Sequence, residues 1–404
     1  MKKYLYIIAA ICIAMVSFYS CGDNSDDDNG NGGGNGNGGG NPNTPGNGSP
    51  NNPFKVATVA DLKRVGTGET GPEGLAWARD KHYIQTADID LNGEANWTPI
   101  PSSSNFFSGS YNGKGYTISN LTISGNEEDV GLFGTVSGTV SNVRLKGVSV
   151  SGKKSVGGLV GTLQYDGTIT NCSASNIEIF GYNYVGGLVG WVSGTGVVNA
   201  CIVTEGTVVG IGQTAVNFAT GGIAGYNSGT VKNCYTTVNV EGQEYIGGIA
   251  GRNSGVIQYC YATGKVVKKG RGVGGIAGDN SGKIQYCVAL NPEVKDAIHS
   301  SSENYTVGRI TGRNFNSGTL ISNYARLDMS LKNGEDDIPL GTEATLTGIH
   351  GADVGAADYH GANSDTWWNS TAGFPTTEWS FAKNRLPWLK GFDGLTQNPK
   401  VVGN

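Results

Sequence analysis

The sequence predicts an all-β chain: a right-handed parallel β-helix, or solenoid, closed by N- and C-terminal capping segments. Three observations carry the prediction. A glycine pair recurs down the chain, and the second glycine marks a register at Gly131 (VGLFG), Gly158 (GGLVG), Gly187 (GGLVG), Gly222, Gly248 and Gly275 (all GGIAG), with Arg309 (GRITG) as a degenerate seventh mark. The steps between marks are 27, 29, 35, 26, 27 and 34 residues, a near-constant period with occasional insertions, as a solenoid gives when loops are added at a corner. Between the glycines lie short runs of alternating apolar and β-branched residues, such as GVIQYCYA and GKVV, without helical periodicity.

In chain order, Lys2 and Lys3 precede an uncharged, largely apolar run from Tyr4 to Ser20, the composition of a bacterial export signal. The run is marginal in length for a spanning helix. Ser20-Cys21 resembles the end of a bacterial lipoprotein signal, which implies lipidation at Cys21, although Phe18 and Tyr19 depart from the usual pattern. Ser25, Asp26, Asp27 and Asp28 resemble the acidic tag that exports Bacteroidetes lipoproteins to the outer face of the outer membrane; an ordinary acidic tether is the alternative. Residues 1–20 are therefore expected to be a signal peptide. Residues 21–53 are expected to be a disordered Gly/Asn-rich tether, because Gly and Asn offer almost nothing to bury. The expected location is the outer membrane, lipid-anchored and facing the exterior, with no other membrane contact.

Residues 54–130 are expected to hold the N-terminal cap and first coils, 131–325 the repeat, and 326–404 an irregular loop and a Trp-rich C-terminal cap. Within the repeat, the glycines serve corners through positive φ or close backbone approach. Asn227, Asn253 and Asn280 share a register and are expected to form a corner ladder of side-chain amides. Cys172, Cys201, Cys234, Cys260 and Cys287 share another, with Val143 in the corresponding place one coil earlier. A slot filled by Cys or Val is small and apolar, so the cysteines are expected to be core-facing free thiols. Each stands alone in its coil, which suits neither zinc nor a disulfide. Ile257 and Cys260 are three apart, so a bend near Tyr259 is needed to bring both inside. Trp367, Trp368, Trp379 and Trp388 are expected to bury against the terminal coil.

These residues resemble the GLUG-motif repeats, named for the Gly-Leu-x-Gly seen here as GGLVG and GLFG. The trailing NSGTVKNCYT, the opening segments ADIDLNGEANWTPIP and FSGSYNGKGYTISNLTIS, and the closing WWNSTAGFPTTEWSFAKNRLPWLKG extend the resemblance over most of residues 54–391. It implies a surface protein of β-solenoid architecture. Some immunoglobulin-A-cleaving zinc peptidases carry such repeats beside a catalytic domain, but none of His82, His299, His350 or His360 begins an H-E-x-x-H motif.

Chemistry is sparse. The net charge is −5 over 404 residues, and the cluster Lys265, Lys268, Lys269 and Arg271 reads as a solvated turn, so no nucleic-acid partner is expected. No catalytic residue, metal site or cofactor is identified; His350, Asp353, Asp358 and His360 match no standard metal spacing. The expected function is non-enzymatic adhesion or binding of an extracellular glycan or protein. The alternative is a carbohydrate-active β-helix enzyme, a lyase or glycosidase, which would need converging carboxylates. Tyr235, Tyr259, Tyr261 and Tyr286 form aligned aromatic positions offered as ligand contacts, and the insertions at 204–220 and 288–307 as partner-specific loops.

Overall fold

One backbone conformation per coil sets the path of the chain. The residue before each cysteine position lies in the left-handed region: φ is 55° at Asn142, 53° at Asn171, 52° at Ala200, 51° at Asn233, 52° at Tyr259, 53° at Tyr286 and 51° at Ser322. That residue turns the chain so that Ile257 and Cys260 both point inward, each fully buried. Asn tolerates this region well; Ala and Tyr occupy it at a steric cost of about 1–2 kcal/mol each. A second left-handed corner, at Asp129, Ser155, Tyr184, Tyr245 and Gly272, turns the coil again just before the glycine pair.

These corners separate stacked parallel walls in a computed structural model that describes residues 45–101, 106–212, 218–269, 271–298, 306–315 and 317–393. Cys21 and Ser25, Asp26, Asp27 and Asp28 lie outside the described residues. The first wall is a sheet of ten strands from Phe54–Val56 through Thr139–Ser141 and Val256–Gln258 to Thr319–Ile321, so the solenoid has about ten turns. Neighbouring strands are in parallel register, as in Val231↔Ile257 and Ile257↔Ile284, and these central residues fill the interior. The second wall has seven strands, from Phe133–Val136 to Thr311–Asn314. The third begins as long strands, Arg144–Gly157 and Ser173–Gly186. Later coils break it into shorter pieces such as Tyr235–Thr236, Asn239–Gly242 and Ile246–Gly247.

The repeated glycines serve approach rather than chirality. None of those in the GGIAG motifs has positive φ. A Cβ at Gly222 or Gly248 would sit 2.2 or 2.1 Å from the carbonyl oxygen of the next coil's glycine, and one at Gly251 2.2 Å from the Thr220 nitrogen. A side chain at these positions would force adjacent coils apart.

The ends are closed by different devices. At the N-terminal end the helix Val59–Arg64, capped by a reciprocal Thr58–Asp61 box, buries Leu62 on the core beside an aromatic stack of Phe54, Trp77, Tyr83 and Phe107. Residues 45–53, expected within the flexible tether, are folded here: Gly48 packs against the Phe54 ring and its carbonyl accepts a bond from the His82 amide at 3.0 Å. At the C-terminal end Arg309, in the place of a glycine mark, is itself buried. Its guanidinium donates to the carbonyl oxygens of His350, Arg326 and Gly351 and pairs with Asp353 at 2.6 Å. Ile338, Leu340 and Ile349 pack over the same end.

The Trp-rich segment does not cover that end. Residues 355–393 run back along the outside of the third wall as a strap. Trp367 meets Tyr324, Trp368 meets Tyr261, and Trp379 meets both Tyr261 and Tyr235. Farther on, the Tyr261 hydroxyl donates to the Pro387 carbonyl at 2.9 Å. Phe392 lies 4.0 Å beneath the Arg144 guanidinium, which also donates to Gly391 O. Arg144 and Tyr324 are six steps apart in one register row, through Ser173, Ile202, Tyr235, Tyr261 and Val288. The terminal coil was already sealed by Arg309 and residues 338–351, and the exposed apolar surface left to cover was this row.

Candidate functional site

The five cysteines are free, fully buried thiols stacked coil on coil. Each Sγ faces the carbonyl two residues before it, at 3.1 to 3.3 Å. Desolvation is the largest influence on all five and favours the neutral thiol. The row runs on from Val143 at one end to Asn323 at the other, where the Asn323 amide takes a bond from the Cys287 backbone N–H at 3.0 Å.

Asn227, Asn253 and Asn280 lie on the second wall. Asn227 donates to Asn253 Oδ1, Asn253 to Asn280 Oδ1 and Asn280 to Asn314 Oδ1, each at 2.7 Å. Asn314 is a fourth rung that the sequence reading missed, although it stands five residues after the Arg309 mark as the others stand after theirs. The three earlier coils hold Val136, Leu163 and Val192 at this register.

The tyrosines offered as ligand contacts lie beneath the strap. Tyr235 and Tyr261 stack at 4.8 Å and 3°, but both are buried under Trp379. Tyr259 and Tyr286 stack at 5.2 Å and are half-buried beside Phe374 and Gly373. This corrects the expectation of a free aromatic row: the strap occupies the surface that a ligand would use. Of the basic cluster, Lys265, Lys269 and Arg271 are exposed as expected of a solvated turn, and Lys268 is the exception. Lys268 is buried and paired at 2.8 Å with an equally buried Asp296, while Lys265 pairs with Glu293 at 3.1 Å. Burial lowers the Lys268 pKa against the pull of Asp296.

Among the described residues no three His, Cys, Asp or Glu side chains gather as a metal-binding group. Asp353 is held by Arg309, and Asp358 accepts from the Gly355 amide. Burial and the neighbouring Arg309 push His350 down to about 4.

A different surface carries exposed chemistry. The outward residue of the second wall, four after each mark, reads Thr135, Thr162, Trp191, Tyr226, Arg252, Asp279 and Arg313 in continuous register. Trp191 and Tyr226 are parallel within 6° at 6.2 Å, and Tyr184 packs on both. Arg252 lies over the Tyr226 and Tyr245 rings at 5.6 and 5.1 Å, and Arg313 over Tyr245 and Phe315 at 5.7 and 4.8 Å. Asp279 sits between the two guanidiniums, 3.3 Å from Arg252 and 3.9 Å from Arg313. Burial raises its pKa while both arginines oppose the rise. Trp191, Tyr226, Arg252 and Arg313 are only partly covered.

The left-handed corner explains the arrangement. Tyr184 and Tyr245 occupy it, and the glycines of the second wall let the corner backbone close over the neighbouring coil, as Gly225 does against Tyr184. The side chains of corner and wall therefore interdigitate along one seam. Both repeat insertions leave the coil at this corner: the chain departs after Gly210 and re-enters at Thr220, and departs after Asp296 and re-enters at Val307. The re-entry points lead into the coils of Tyr226 and Arg313, two of the coils that carry the stripe. These positions differ from coil to coil, so recurrence does not reveal them. The usable signal was the opposite, one variable position set among invariant neighbours.

Comparison with known proteins agrees with this architecture. The GLUG motif matches at residues 152–179 and 242–267. Halomucin of Haloquadratum walsbyi is 37% identical over 131 residues, 29% of this chain and 1% of that protein. A candidate Gly-rich membrane protein of Evansella cellulosilytica is 35% identical over 127 residues, 29% of this chain and 14% of that one. The chain thus spans only a small part of the length of either relative. The crystal structure of a candidate immunoglobulin A1 protease from Bacteroides ovatus superposes with a TM-score of 0.53 at 23% identity, covering 85% of this chain and 94% of that one; at that identity the likeness speaks for the fold.

Proposed function

We propose that the protein is a non-enzymatic binding module of the cell envelope whose ligand surface is the stripe from Trp191 to Arg313. One observation carries the reading: on a solenoid whose other aromatic row is covered by its own strap, the partly exposed rings of Trp191 and Tyr226 and guanidiniums of Arg252 and Arg313 are aligned in one register row. Ordered aromatic and arginine side chains contribute strongly to recognition at low entropic cost. An envelope location is supported by the name of the Evansella relative. Display on the outer membrane through a lipid on Cys21, with Ser25 to Asp28 as the export tag, is the finer proposal. The ligand class is a glycan or protein.

The test is a glycan and protein array probed with the purified chain and with Trp191→Ala/Tyr226→Ala, alongside a polysaccharide-degradation screen. Saturable binding that the double substitution weakens at least tenfold is expected. Turnover of a polysaccharide would overturn the non-enzymatic reading. Fatty-acid labelling that Cys21→Ala fails to abolish would overturn the anchor.

A further inference from the structure

From the same stripe, we infer that the ligand is an acidic glycan, one bearing carboxylate or sulfate groups. This rests on the binding-module reading and adds the charge of the ligand to it. The stripe has two chemically distinct halves. Trp191 and Tyr226 stack on one another on adjacent coils, so their partly exposed edges line up as a rigid apolar ridge against which the C–H face of a sugar can pack. The next three coils present Arg252, Asp279 and Arg313.

The second half selects for negative charge. Arg313 reaches Asp279 only at 3.9 Å and donates Nη1 to the Tyr245 hydroxyl at 3.1 Å. Asp279 Oδ1, which faces Arg313, is enclosed and has no hydrogen-bond partner among the described residues. The carboxylate thus holds the guanidinium loosely, while Tyr245 and Phe315 fix its plane. A planar, partly exposed guanidinium with donors to spare matches an incoming carboxylate or sulfate in bidentate geometry. Two guanidiniums against one carboxylate leave this half with net positive charge. A linear acidic chain laid along the solenoid axis would pack sugars along the Trp191–Tyr226 ridge and bring an acidic group farther along the chain to Arg313.

The experiment measures binding of the full chain to polygalacturonate and chondroitin sulfate, with dextran and xylan as neutral probes, at low and high salt. Arg313→Gln, Arg313→Lys and Trp191→Ala are compared with Lys283→Gln, a change on the first wall. Acidic probes are expected to bind at least tenfold more tightly than neutral ones, with affinity falling as salt rises. Arg313→Gln should remove that preference, Arg313→Lys should restore part of it, and Lys283→Gln should leave it intact. Equal binding of neutral and acidic probes, lost in Trp191→Ala but not in Arg313→Gln, would overturn the charge selectivity and leave the binding face standing. Binding to a protein and to none of the four polysaccharides would overturn the glycan assignment alone.

Discussion

The asparagine ladder makes a quantitative prediction because its rungs depend on one another. In Asn253→Val, Asn280 Oδ1 loses the only donor that reaches it among the described residues, the Asn253 amide at 2.7 Å, inside a fully buried site. An orphaned buried acceptor costs about 1–3 kcal/mol, and each lost hydrogen bond about 1 kcal/mol net. Asn227 loses one acceptor but keeps the Val256 carbonyl at 3.1 Å. The single substitution should therefore destabilise by about 2–3 kcal/mol. Replacing Asn227, Asn253, Asn280 and Asn314 together with Val orphans no amide within the ladder and reproduces the apolar register of Val136 and Val192. Its cost should be near 3 kcal/mol, far below the roughly 10 kcal/mol that additivity would give. Guanidinium unfolding followed by far-ultraviolet circular dichroism measures both. A single variant within about 0.5 kcal/mol of the parent, or a quadruple variant that is simply additive, would refute the argument.

Lys268→Met leaves the buried Asp296 without its cation and should cost about 3–5 kcal/mol, while Lys268→Met/Asp296→Leu should recover most of that loss in the same unfolding assay. His350 titrates at about 4 in the folded chain against about 6.5 unfolded. The unfolded state therefore binds the proton first, and up to about 3 kcal/mol of stability present above pH 6.5 is lost as pH falls through 4. His350→Gln should flatten that part of the pH–stability curve. Cys234→Val should cost under about 1.5 kcal/mol, since Val143 fills the same register, and thiol reagents should titrate the five stacked cysteines only on unfolding.

How much was legible in the sequence depended on how local the determining physics was. The glycine period gave the coils, because steric approach between neighbouring backbones allows no substitute at Gly222 or Gly248. Cys260 could be placed inside because Val143 shared its slot. The strap could not be foreseen: residues 355–393 have no period, and nothing in Trp368 or Trp379 says whether they cover an end or a side. Tyr235 and Tyr261 were aligned correctly but assigned to solvent, since register fixes a row without saying what lies over it. Lys268 misled for a similar reason, its partner Asp296 lying a full coil away. The stripe from Trp191 to Arg313 was passed over because its members differ from coil to coil.

The strap also changes what kind of array this is. A simple solenoid is a chain of nearest-neighbour couplings that frays from either end one repeat at a time. Here a segment that follows the last coil is fastened as far back as Arg144, so the C-terminal coils cannot peel away without first releasing Trp368, Trp379 and Phe392. The clasp joins early and late coils into one cooperative unit. The corresponding cost is kinetic: these contacts are long-range and close only after the coils from Arg144 to Tyr324 have stacked.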